Sequence, residues 1–168
     1  MARTNKYSQM KLLKNIRSLF ILSIFTFSIS AIQGQDLDKA TVKNLVDSKS
    51  FIFKAQTVLP MGGASRQLTP DYDLKLFGDS MIAYLPYFGR AYGAINPNEG
   101  GINFTSTDFE YNAKPKKKGG WEININPKDT KDVRQLFLSI SSNGYASLQI
   151  TSNNRQSISY HGHIVNGK

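Results

Sequence analysis

Hydrophobic and polar positions alternate with a period of two along most of the chain after Ser50. Tyr72, Leu74 and Leu76 alternate with Asp73 and Lys75, and Trp121, Ile123 and Ile125 with Glu122, Asn124 and Asn126. Ala146, Leu148 and Ile150 alternate with Ser147 and Gln149, and Ile158, Tyr160 and Ile164 with Ser159, His161 and His163. Successive side chains of a strand point to opposite faces, so this pattern predicts strands with one buried and one wet face, the habit of antiparallel sheets. Less regular runs predict further strands at 51–59, 80–85, 102–111 and 136–141. Turn residues separate them. Gly78-Asp79 and Asn143-Gly144 are hairpin dipeptides, Asn153-Asn154-Arg155 a tight connection, and 96–101 and 114–120 longer loops.

One helix is expected, at 36–46, where Leu37, Thr41, Val42, Leu45 and Val46 share a side. Asp36 or Asp38 can cap it, because free N–H groups and the helix dipole favour acids there. The whole is a mainly-β domain: a short helix, then about eight antiparallel strands closing into a barrel, which removes exposed edges. A two-sheet β-sandwich is the alternative.

The first 34 residues read differently. Arg3, Lys6, Lys11, Lys14 and Arg17 form a basic stretch without acids, and an apolar run follows from Leu19 to Ile32. That is the pattern of a secretory signal peptide, and the run is shorter than the roughly 20 residues of a membrane-spanning helix. Cleavage is expected after Ala31 or Gly34, and Met10 is a second possible start. The division is therefore 1–34 as leader and 35–168 as one domain, exported to the periplasm or beyond, without a transmembrane segment.

That division changes the charge. The chain has 21 basic and 12 acidic groups, a formal +9. Five basic groups and no acids precede residue 35, so the domain carries 16 against 12, or +4. A nucleic-acid partner is not expected. The chain has no cysteine, which excludes disulfides, thiolate catalysis and cysteine-based zinc sites.

Candidate chemistry is sparse. Gly78-Asp79-Ser80 resembles the opening of the Gly-Asp-Ser-Leu hydrolases, with Ser80 as nucleophile. That family needs an Asp three residues before its histidine. Here Ile158 precedes His161 and Tyr160 precedes His163. A hairpin turn accounts for the triplet, and no enzyme is expected. His161 and His163 share a strand face, but a metal needs a third ligand, so neither metal nor cofactor is expected. Lys114, Lys116, Lys117 and Lys118 are either a solvated hairpin loop or a contact for a phosphate-bearing surface such as lipopolysaccharide.

The densest signal is Tyr84-Leu85-Pro86-Tyr87-Phe88-Gly89-Arg90-Ala91-Tyr92-Gly93. Pro86 ends or edges a strand, and Gly89 and Gly93 permit unusual backbone angles. Two readings follow. The rings seal one barrel end with Arg90 packed on them, or Tyr84, Tyr87, Phe88, Arg90 and Tyr92 bind an apolar or glycan-like ligand or an envelope protein.

Tyr84 to Ala91 resembles the signature of an exported bacterial family, Domain of Unknown Function 4251. Phe51-Ile52-Phe53-Lys54-Ala55, Gly78-Asp79, Gly101-Ile102-Asn103-Phe104 and Asn143-Gly144-Tyr145-Ala146 agree with it. The resemblance implies signal-bearing proteins of Gram-negative bacteria with a lipocalin-like barrel. It implies no activity and no functional residues. A shared fold does not confer a ligand.

Overall fold

The structure, a computed structural model, describes residues 36–92 and 100–167. The expected leader and Gly93 lie outside the described residues. The folded unit begins with helix α1 (Lys39–Asp47). Asp38 is its cap: one carboxylate oxygen accepts from the Thr41 N–H at 2.9 Å and the other from the Thr41 hydroxyl at 2.7 Å. These bonds, the backbone one first, hold the Asp38 carboxyl below its ordinary pKa. Val42, Leu45 and Val46 form the buried side of the helix. Lys49 then takes a left-handed turn, φ 51°, straight into the first strand.

Among the described residues ten strands follow in chain order: β1 (Ser50–Pro60), β2 (Arg66–Gln67), β3 (Asp73–Phe77), β4 (Ser80–Pro86), β5 (Gly101–Ser106), β6 (Phe109–Pro115), β7 (Trp121–Pro127), β8 (Val133–Ile140), β9 (Tyr145–Ser152) and β10 (Ile158–Asn166). Nine lie in the path β5-β4-β3-β1-β10-β9-β8-β7-β6, and every neighbouring pair is antiparallel. This is a nearly closed barrel, as the alternation predicts, with β2 pairing only with β1. Gly78-Asp79 joins β3 to β4 as a two-residue hairpin, with Phe77 opposite Ser80.

One expected strand is two. The run 102–111 breaks at Thr107-Asp108: β5 pairs with β4, whereas β6 pairs with β7. Asp129 explains the break. Its carboxylate accepts from the Ser106 hydroxyl at 2.5 Å, the Thr107 N–H at 2.8 Å and the Asp108 N–H at 3.2 Å, taking donors that a ladder would otherwise use. Directions alternate along nine antiparallel strands, so the two end strands, β5 and β6, run the same way. The chain passes from one side of the seam to the other with a kink rather than a hairpin.

The inward side chains form one continuous core. Phe51, Phe53, Leu74, Leu76, Met81, Leu85, Ile123, Leu136, Leu138 and Tyr160 are all buried, and α1 adds Val42 and Val46. Tyr111 of β6 reaches the helix and donates its hydroxyl to the Val46 carbonyl at 3.0 Å. Register slips between Ala55 and Thr57 of β1, where it crosses β10. A Cβ on Gly162 there would lie 1.9 Å from the Lys54 carbonyl oxygen, so only glycine lets the two strands approach. Asp73 departs from the simple alternation. It pairs in register with Lys54 and Tyr84 and is buried, with Lys54 Nζ at 2.7 Å.

Candidate functional site

The C-terminal end of β4, the start of β3, the end of β1 and the β9–β10 connection all meet at one end of the barrel. The aromatic segment leaves β4 there and is tied to the 153–156 loop. Tyr92 N–H donates to the Asn154 carbonyl at 2.8 Å, and Gln156 N–H to the Arg90 carbonyl at 2.9 Å. Ala91 and Arg155 add an antiparallel bridge. The Tyr87 hydroxyl lies 2.9 Å from the Arg90 carbonyl and 3.0 Å from that of Gln156, so its single proton is shared between them. Beneath, the buried Tyr160 donates its hydroxyl to the Pro86 carbonyl at 2.9 Å. Burial pushes the Tyr160 and Tyr87 phenols up, and in both cases nearby Arg155 pulls the other way.

Arg155 is the hub of this arrangement, and only 8 % of it is exposed. Its guanidinium lies 5.3 Å from the centre of the Tyr87 ring, and Nη1 donates to the Gly101 carbonyl at 2.8 Å. Nε sits 2.9 Å from Asp132 Oδ2, but its N–H is not aligned on any acceptor, so that pair is Coulombic rather than a directed hydrogen bond. The expected ring–arginine packing therefore exists, with a different arginine. Arg90 is exposed and contributes its backbone, while Arg155, far along the chain, covers the ring. No local signal in the sequence marks Arg155, because its partners Tyr87, Gly101 and Asp132 lie on three separate segments. Gly89 is needed for space, not for a left-handed φ. A Cβ there would lie 2.3 Å from the Tyr87 hydroxyl oxygen.

The five candidate residues do not converge on one point. Tyr87 is half-buried in the latch just described. Tyr84, 51 % exposed, points from the outer face of β4 and stacks on Tyr72 at 5.5 Å between ring centres. Phe88, Arg90 and Tyr92 are at the surface, and Tyr92 is 71 % exposed. Phe88 and Arg90 line an open hollow of about 410 Å³ with Met61, Gly62, Gly89 and Gln156. The Arg66 guanidinium sits 4.7 Å from the centre of the Phe88 ring. Met61 and Arg66 carry no signal at sequence level, since the β1–β3 connection brings them in from a distance.

The remaining candidates fall elsewhere. His161 and His163 lie on the outer face of β10. His163 is partly buried, and burial first, then the Lys54 charge, holds its imidazole pKa down. Lys114 is the penultimate residue of the edge strand β6 and Lys116 donates to the Ser139 hydroxyl at 2.9 Å, while Lys117 and Lys118 face solvent. Among the described residues no group of three His, Asp or Glu side chains is placed to hold a metal, and no helix is long and apolar enough to cross a membrane.

The model of the family described as Domain of unknown function (DUF4251) matches residues 33–164. The chain belongs to the DUF4251 family. The fold agrees. A crystal structure of a DUF4251 family protein from Bacteroides eggerthii DSM 20697 superposes with a TM-score of 0.58 at 14% identity, covering 79% of this chain and 89% of that one. At that identity the likeness concerns the fold alone. No curated protein matches the chain.

Proposed function

We propose that this DUF4251 protein is a non-enzymatic binding protein of the cell envelope that holds a glycan-like ligand on the outside of its barrel. The observation that carries this reading is the hollow at the aromatic end. It is lined by an exposed ring, Phe88, and by Arg90, and Arg66 lies over that ring; for neither arginine do the described residues supply an acidic partner. A sugar ring can lie on Phe88 or Tyr92 while Arg66, Arg90 and Gln156 reach its hydroxyls. The barrel interior is occupied by side chains, which argues against a ligand held inside as in a hollow barrel. The hollow is open and polar-rimmed, which favours a glycan over an apolar molecule.

Export to the periplasm or beyond is part of the proposal and rests on the basic-then-apolar leader within residues 1–34. Cell fractionation with intact-mass measurement should find a chain beginning near residue 32 or 35 outside the cytoplasm. The binding test is calorimetric titration with peptidoglycan fragments, lipopolysaccharide core oligosaccharide and a fatty acid. Oligosaccharide binding that weakens about tenfold in Phe88→Ala, as loss of one stacking ring worth about 1.4 kcal/mol implies, supports the reading. Fatty-acid binding alone, or no oligosaccharide binding at millimolar concentration, overturns it.

A second reading has its own observation. Ile82 and Tyr84 are exposed together on the outer face of β4, with Tyr72 stacked alongside. That apolar surface suits a partner protein of the envelope. Crosslinking in cells, lost in Tyr84→Ala and retained in Phe88→Ala, would favour it.

A further inference from the structure

We propose that the free edge of β5 is a second binding site, adjoining the aromatic end at Arg155, which takes an extended peptide carrying a carboxylate by strand addition. β5 is hydrogen-bonded to β4 on one side only. No ladder joins the end strands β5 and β6 across this seam, where they run the same way and meet at a kink. Side chains close the seam instead. Asp129 pins the kink below, and Arg155 holds the Gly101 carbonyl above. Between these two clamps a slot of about 280 Å³ remains, walled by Asn103, Phe104 and Thr105 on one side and by Thr130, Lys131 and Val133 on the other.

The slot runs along the β5 edge. Five β5 residues, Gly101 to Thr105, line it, which is about 13 Å at roughly 3.3 Å per residue. A strand added to that edge would lie about 4.8 Å from it. An unpaired edge offers main-chain N–H and C=O groups at ladder spacing, the basis of peptide recognition by strand addition. Phe104, the one aromatic in the slot, is packed on the core and offers no free platform for a sugar.

Charge selects the occupant. Asp129 is spent on the kink, and Asp132 faces Arg155. Lys131 has no ion pair among the described residues, so the unmatched charge at the slot is positive. A peptide with an acidic side chain or its own terminal carboxylate beside Lys131 satisfies it.

The probe is a capped five-residue peptide alternating valine and threonine and ending in aspartate, titrated into the purified protein and followed by amide NMR. The expected result is saturable shifts at residues 101–105 and 130–133 and slowed exchange of β5 amides. Lys131→Glu should weaken binding about fivefold, the upper range of one exposed ion pair, and a lysine-ended peptide should recover it on that variant. Three outcomes overturn the proposal: no shifts at millimolar peptide, shifts confined to Phe88–Tyr92, or concentration-dependent dimerisation of the protein alone through 101–105. Glycan binding at the aromatic end is read separately by Phe88→Ala, so either site can fail without the other.

Discussion

Truncating Arg155 to alanine is expected to cost about 3 kcal/mol of folding stability, summed from three contacts. The bond from Nη1 to the Gly101 carbonyl is charge-assisted and part-buried, worth about 1.5–3 kcal/mol when removed. The ring contact with Tyr87 adds about 0.5–1 kcal/mol. The pair with Asp132 adds less than about 1 kcal/mol, because the Asp132 side chain is 31% exposed and the Nε proton is not aimed at it. For a domain of this size each kcal/mol moves Tm by about 4 °C, so the midpoint should fall by about 12 °C. Thermal and urea unfolding followed by circular dichroism would measure this. A cycle with Asp132→Ala should return a coupling below about 1 kcal/mol, and Arg155→Lys, which keeps charge but loses the planar fork, should recover less than half the loss. A midpoint within about 3 °C of the parent would refute the view that Arg155 latches β4, β5 and the β9–β10 loop together.

Other substitutions probe separate parts of the account. Gly162→Ala should destabilise by at least about 1–3 kcal/mol in urea denaturation, because its methyl would enter the Lys54 carbonyl. Tyr160→Phe removes one buried hydroxyl and leaves the Pro86 carbonyl short of a donor, for a loss of about 1 kcal/mol by the same assay. Asp129 is held below its ordinary pKa, chiefly by the Ser106 hydroxyl and then by the Thr107 N–H. A carboxylate lowered in the folded state contributes stability that is present above its unfolded pKa, near 3.9, and is lost as pH falls through the folded value. Asp129→Asn should therefore flatten the acid limb of a stability-against-pH curve below about pH 4, and an unchanged limb would contradict its role at the kink.

Much of this fold is legible in the chain because strand alternation and hairpin dipeptides are local signals. Leu74 and Leu76, Ile123 and Ile125, and Leu148 and Ile150 all point inward as their spacing requires. Asp38 caps α1 for the same local reason. What escapes a linear reading is set by partners far away in sequence. Thr107-Asp108 looks like continuous strand until Asp129 takes its N–H groups. Asp73 looks wet until Lys54 covers it. The aromatic segment is readable as a cluster, but its division is not. Tyr87 turns inward because Arg155 and the Gln156 carbonyl receive it, and that leaves Phe88, Arg90 and Tyr92 outside.

The central claim is that ligand is held on the aromatic end and not within the barrel. Amide and methyl NMR of the protein during titration with a muramyl disaccharide-peptide fragment of peptidoglycan tests it directly. The account predicts saturable shifts at Met61, Gly62, Phe88, Arg90 and Gln156, the residues around the hollow, with the methyl signals of the buried Leu74, Leu136 and Leu138 unmoved. Shifts centred on those core methyls, with the hollow silent, would contradict it.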